Sequence, residues 1–283
     1  MPQRIEEART RLNAIASAER ARPEIAYGTR WWLGDAVVPL AVVLLHGLTN
    51  APPQYDRLGA QLHDRGHAVI VPRMPHHGYR DRMTDAIAAM RADELEATAL
   101  DAVAIAALCG ERVAVAGISV GATLAGWLAA RTAIDTAVAV APFCGLRQLY
   151  GPMNDSLGAL LRTAPNAFSW WDPRNKAAQP PPHGYPRFAT RALGESLGMS
   201  TDLDAAPPGD HARRTLLVLN ANEPVVNNAH AERRFAPLAA RGVAYERVVL
   251  RDLPHIHDIV EPQIPQARTD LVYPALIELI EGA

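Results

Sequence analysis

Six short runs of β-branched and small apolar residues, separated by helix-like stretches, constrain this chain more than any other feature. They are PLAVVLLHG (39–47), HAVIVPR (67–73), RVAVAGIS (112–119), AVAVAPF (137–143), TLLVLNAN (215–222) and YERVVL (245–250). Continuous apolar runs of this length suit strands covered on both faces, as in a parallel sheet. Between them, PPQYDRLGAQLHDRG (52–66) begins with proline and ends with glycine, the asymmetry helices prefer. ADELEATALDAVAIAALCG (92–110) puts Leu95, Ala99, Val103 and Ala107 on one face, and AHAERRFAPLAARG (229–242) is similar. The alternation predicts an α/β fold, a doubly wound and mostly parallel sheet with right-handed crossovers. Residues 3–21 predict a polar surface helix stopped near Pro23, with no chemistry of its own. YGTRWWLGD predicts an edge hairpin.

One region breaks the rhythm. Residues 145–212 hold nine of the 23 prolines, together with Trp170 and Trp171. No strand is expected there. So long a structureless stretch is unusual inside a compact domain, and the aromatics call for packing. The expectation is a core built from 1–144 and 213–283, with 145–212 inserted as a cap of short helices and turns at one end of the sheet. Trp170 and Trp171 either wall a hydrophobic site or anchor the cap.

Composition narrows the function by exclusion. A formal net charge of −2 gives no electrostatic basis for binding nucleic acid or an anionic membrane. Cys109 and Cys144 are too few for a disulfide framework or a metal cluster, and both sit in apolar context. The charged N-terminal stretch lacks the apolar core of a signal peptide. No run of 18 apolar residues exists to span a membrane. A cytoplasmic protein is expected, with a small molecule as its partner.

The chemistry centres on Gly117-Ile118-Ser119-Val120-Gly121. A G-x-S-x-G match alone is weak, but this one follows a strand and opens a helix. That is the setting of a nucleophile elbow, where the glycines relieve a crowded turn. The following helix points its N-terminus at Ser119 and favours a developing oxyanion. A second run, VVLLHGLTN, ends another strand in His46-Gly47-Leu48. The backbone N–H groups of Leu48 and Val120 are therefore the expected oxyanion hole. His46 is read as structural, pinning its loop. In the order Ser, acid, His, Glu223 is the expected acid: it leaves a strand tip, and Pro224 favours an extended conformation for it. The histidine should follow the last strand, where LPHIHDIVEP offers His255 and His257. Spacing alone does not separate them. His76 and His77 are adjacent, without metal-ligand spacing, and are read as a structural loop beside the acyl pocket.

Taken together, LLHGLTN, PRMPHHGYRDRMTDAI, VAGISVGATLAGWLA, FSWWDPR, LNANEPVVNNA and LPHIHDIVEP resemble the α/β-hydrolase superfamily. Within it the chain looks like the monoacylglycerol lipase and carboxylesterase-like branch. Similar sequences carry the base in an H-D-(I/L)-(I/V)-(D/E)-P stretch, which here is His257 to Pro262, so the resemblance implies His257. Related sequences usually place Asp where this chain has Glu223, although Glu is a known variant of the acid. The reading implies ester hydrolysis through Ser119, His257 and Glu223, with no cofactor or metal. Other acyl chemistries on the same residues, such as thioester, lactone, amide or carbon–carbon bond hydrolysis or acyl transfer, stay open. So does a ligand-binding homologue without turnover. A dehalogenase or epoxide hydrolase would need a carboxylate at position 119.

Overall fold

The computed structural model describes residues 2–174, 179, 181–203 and 209–282. All six apolar runs form strands: β2 (Val38–Leu45), β3 (Ala68–Val71), β4 (Gly110–Ile118), β5 (Thr136–Val140), β8 (Arg214–Asn220) and β9 (Ala244–Leu250). These six pair in parallel. With the short strand β1 (Arg30–Trp32) they make one seven-stranded sheet of order β1-β3-β2-β4-β5-β8-β9.

Side chains alternate across this sheet, as pleated strands require. Val43, Leu45, Val113, Val115, Ala137 and Leu217 point to one face. There they meet α1 (Pro2–Arg20), α3 (Ala92–Cys109), α4 (Val120–Ala129) and α6 (Thr190–Thr201). Val42, Leu44, Ala114, Val138 and Leu216 point to the other. They meet α2 (Asp56–Asp64) and α8 (Thr269–Glu281). Burial on both faces is why the central strands read as unbroken apolar runs.

Three expectations change. The YGTRWWLGD segment forms no hairpin. Its strand β1 pairs antiparallel with β3, aligning Arg30 with Val71 and Trp32 with Val69. The N-terminal helix buries Ile5, Ala8, Leu12 and Ala16 in the core. It also carries Glu19, whose carboxylate holds Arg73 at 2.9 Å and the Thr29 N–H at 2.7 Å in the interior. Finally, the region 145–212 does contain strands. β6 (Phe168–Trp170) and β7 (Arg187–Ala189) form a separate antiparallel ladder between α5 (Gly151–Thr163) and α6.

Helix α6 packs against α5 and α4, with Ala192, Leu193, Leu197 and Met199 buried in the core. Strands β5 and β8 are parallel neighbours, so the chain leaving β5 at the carboxyl edge must return to the amino edge before β8 begins. Helix α6 lies on that return path. The cap expected at 145–212 also includes 175–178, 180 and 204–208, which lie outside the described residues. Among the described residues, no helix is long and apolar enough to cross a membrane.

Candidate active site

Ser119 sits between β4 and α4 with φ 57° and ψ −118°. A left-handed backbone is uncommon for a residue with a side chain and has to be held by its surroundings. The holding contacts are on both sides of the residue. The Ser119 N–H donates to the Val140 carbonyl at 3.0 Å, and its carbonyl accepts from Thr123 and Phe143. The flanking glycines are sterically required. A Cβ on Gly117 would lie 2.3 Å from the Gly121 carbonyl oxygen, and one on Gly121 would lie 2.1 Å from that of Leu45.

The loop after β2 approaches this elbow from the neighbouring strand. Several of its backbone polar atoms are held. The Gly47 N–H donates to Gln54 Oε1 at 3.0 Å, and the Gly47 carbonyl faces His46 Nδ1 at 3.0 Å. The Leu48 carbonyl accepts from His77 Nε2. The Thr49 carbonyl accepts from the Tyr185 N–H at 2.6 Å. His46 Nε2 accepts the Met74 N–H, so Nδ1 carries the ring proton and donates to Gly47. Burial keeps His46 well below its ordinary pKa, in agreement with that neutral form. His77 faces two carbonyls, a geometry that favours the imidazolium, but burial outweighs them and lowers its pKa to about 4. The peptide joining Gly47 to Leu48 is thus anchored through its carbonyl, and the Leu48 N–H, on the other side of that planar unit, points the opposite way. Among the described residues, neither the Leu48 nor the Val120 N–H donates to a protein acceptor.

Glu223 follows β8 and His257 follows β9, so the two adjacent parallel strands deliver them side by side. His257 Nδ1 lies 3.0 Å from Glu223 Oε1. The same oxygen accepts the backbone N–H groups of Val225 (2.8 Å) and Val226 (3.2 Å). Burial opposes charge on both partners, but their mutual attraction and hydrogen bonding outweigh it. His257 is held above its ordinary pKa and Glu223 below its own. His255, the alternative by spacing, is exposed.

Leu48, Ser119 and His257 line one cavity of about 240 Å³ at the carboxyl edge of the sheet. Ile118, Val225, Ile256 and Ile264 supply apolar wall. The segment between β5 and β8 supplies the rest, through Trp171, Gln179, Pro181, Gly184 and Tyr185. Trp171 both lines the cavity and bonds the loop after β2, its indole donating to Thr49 Oγ1 at 2.8 Å. Further ties hold this segment down. Arg82 Nε donates to the Gly184 carbonyl at 2.7 Å, and His183 Nε2 meets Glu261 Oε2 at 2.9 Å with both groups buried.

Two cavity residues carry no signal of their own in the sequence. Gln54 lies in a short turn of 3-10 helix, and Asp258 directly follows His257. They bond each other at 2.8 Å. Asp258 lies inside the quoted LPHIHDIVEP stretch, which is the one hint the sequence offers.

The chain belongs to the alpha/beta hydrolase family, whose model matches residues 42–263. Several solved structures share its fold. A soluble variant of monoglyceride lipase from Saccharomyces cerevisiae, in complex with a substrate analogue, is 13% identical with a TM-score of 0.69, and the match covers 90% of each chain. A lipolytic enzyme of the metagenome-derived pair LipS and LipT is 18% identical with a TM-score of 0.68, covering 90% of this chain and 98% of that one. The monoacylglycerol lipase of Paleococcus ferrophilus is 16% identical with a TM-score of 0.64, covering 90% of this chain and all of that one. No curated relative matches the sequence.

Proposed function

We propose that the protein is a serine hydrolase of carboxylic esters, acting on short- to medium-chain acyl esters or monoacylglycerol-like substrates. The observation that carries this reading is the convergence of Ser119, the Glu223–His257 pair and the Leu48 N–H on one mostly apolar cavity. The lipolytic enzymes among the structural neighbours lend it further support.

On this reading Ser119 Oγ attacks the acyl carbonyl while His257 Nε2 takes its proton. Glu223 fixes the tautomer by accepting from Nδ1–H and stabilises the imidazolium as it forms. The N–H groups of Leu48 and Val120 hold the developing oxyanion. His257 then protonates the leaving alcohol and activates the water that releases the acid. The cap region 145–212 supplies the lid, with Trp171 and Tyr185 among its described residues closing the cavity wall, and α6 within it serves as the return crossover of the sheet.

The test is hydrolysis of p-nitrophenyl acetate, butyrate, octanoate and palmitate by the wild type and Ser119→Ala, with fluorophosphonate labelling alongside. Turnover and labelling that vanish together in the variant support the mechanism. Labelling without ester turnover redirects the reaction to another acyl chemistry. Neither signal in the wild type overturns the reading.

A further inference from the structure

We propose that Gln54 and Asp258 are positioning residues whose hydrogen bond couples the oxyanion loop to the histidine loop, with Asn50 adding a second contact to the same carboxylate. The inference rests on the assignment of His257 and the Leu48 N–H given above and adds a connection between them.

Gln54 is 1% exposed and uses both ends of its amide. Oε1 accepts the Gly47 N–H at 3.0 Å, and Nε2 donates to Asp258 Oδ2 at 2.8 Å. The orientation of the amide is determined by its partners. A flipped amide would set its NH₂ against the Gly47 N–H and its oxygen against a carboxylate. One end of the bridge is therefore one residue before the Leu48 N–H, and the other is one residue after His257. A displacement of either loop stretches or breaks the bridge.

Asp258 lines the cavity, so a role in binding substrate has to be weighed. Its hydrogen bonds argue for positioning instead. Oδ2 also accepts from Asn50 Nδ2 at 3.2 Å, and Oδ1 accepts the N–H groups of Val260 (3.3 Å) and Glu261 (3.1 Å). Four donors fill about the whole acceptor capacity of a carboxylate, which leaves no ready lone pair for a ligand. The same two backbone contacts brace the turn that leads away from His257.

The experiment uses the full chain with Gln54→Met, Gln54→Glu, Asp258→Asn and the double variant Gln54→Glu/Asp258→Asn. Gln54→Met keeps the side-chain length and removes both bonds. Its kcat on p-nitrophenyl butyrate is expected to fall about 10- to 100-fold, with KM changing less than about threefold, because the loss acts on transition-state geometry. Gln54→Glu opposes two carboxylates, and Asp258→Asn opposes two amides. The double variant exchanges amide and carboxylate, restores a donor facing an acceptor, and is expected to exceed the worse single variant by about tenfold. A Gln54→Met kcat within twofold of wild type overturns the proposal, as does a double variant no better than the worse single one.

A second readout does not depend on turnover. With glycine nitrogens selectively labelled, Asp258→Asn is expected to speed amide exchange at Gly47, two hydrogen bonds away. Unchanged exchange there overturns the coupling. A wild type that neither turns over esters nor reacts with fluorophosphonate overturns the hydrolase reading instead, while Gly47 exchange still reports on the bridge.

Discussion

Glu223 meets His257 through the same carboxylate oxygen that accepts two backbone N–H groups. Oε1 takes all three donors, and Oε2 is buried without a hydrogen-bond partner among the described residues. The backbone of Val225 and Val226 therefore dictates which oxygen faces the imidazole. This arrangement makes Glu223→Gln an unusually clean removal of charge. The amide should keep its carbonyl on the three donors and place its NH₂ where Oε2 stood. The tautomer of His257 survives, whereas an amide facing Nδ1 with its NH₂ would reverse it, a defect that lowers kcat by ~10⁴ in the serine-protease triad. We expect kcat to fall by about 10- to 100-fold, measured with p-nitrophenyl butyrate.

The pH profile should report the same pair. His257 is a base only when neutral, and its pKa is held above the ordinary 6.5 by Glu223 despite burial. The acid limb of kcat/KM is therefore expected to have its midpoint above pH 6.5. In Glu223→Gln the burial remains and the attraction is lost, so the limb should move to lower pH. A limb that stays in place would mean that another group sets it. For stability the signs are opposite for the two partners. The raised His257 contributes at low pH, and that contribution is lost as pH rises through its folded pKa. The lowered Glu223 contributes above its unfolded pKa and loses that contribution as pH falls through its folded value.

Gly121 cannot carry a side chain without moving the backbone of β2. With a Cβ 2.1 Å from the Leu45 carbonyl oxygen, Gly121→Ala must separate the two strands that bear Leu48 and Ser119. Overpacking costs about 1–3 kcal/mol, and a backbone clash this close belongs at about 3 kcal/mol, the upper end. For a chain of this size that lowers Tm by roughly 6–12 °C, which calorimetry would show. An unchanged Tm would mean that the elbow relaxes freely.

Trp171 lines the cavity from the segment after β5, packs against Phe188 with ring centroids 4.5 Å apart and the planes tilted by 41°, and hydrogen-bonds Thr49. Trp171→Ala should enlarge the cavity at its apolar wall and admit a longer acyl chain. The ratio of kcat/KM for octanoate over acetate is expected to rise by about fivefold or more, since each added methylene that finds apolar cover contributes up to ~0.8 kcal/mol. A ratio that does not change would leave Trp171 as an anchor of the segment alone.

The buried pair His183 and Glu261 joins that segment to the turn after His257. His183→Ala removes the 2.9 Å hydrogen bond to a buried Glu261 oxygen, a loss of about 1–3 kcal/mol for a buried polar group deprived of its partner. Urea unfolding should show it as a lower midpoint. Replacing both residues with apolar ones of similar size should recover much of the loss.

The strands that carry the site were legible because β2, β4 and β8 are covered on both faces and read as apolar runs, while the half-buried edge strand β9 still showed its Val248-Val249-Leu250 run. Strands β1, β6 and β7 were not, for a common reason. Each has three residues, too few to establish a period, and β1 finds its partner across a long stretch of sequence. Ser119 was legible from its strand, glycines and helix, and Glu223 from its strand tip. His255 and His257 are two residues apart, and only resemblance to related sequences favoured one. In the fold His255 stands exposed while His257 turns inward to Glu223. Gln54 was invisible because its role depends on two hydrogen bonds, one to Gly47 and one to a residue near the other end of the chain.

The strand order divides the proposed chemistry around β5. Leu48 and Ser119 come from β2 and β4 on one side, and Glu223 and His257 from β8 and β9 on the other. The segment that walls the cavity leaves the sheet from β5, which bears none of the four. Exchanging it for the corresponding stretch of a relative is therefore expected to leave the four reacting groups with the host, provided its ties to Thr49 and Glu261 are kept. The upstream junction has a fixed limit. Arg147 donates its N–H to the Val225 carbonyl and its guanidinium to that of Glu223, both at 2.8 Å or less. A graft beginning after Arg147 keeps the acid in register, and one beginning before it exchanges the support of the acid along with the wall.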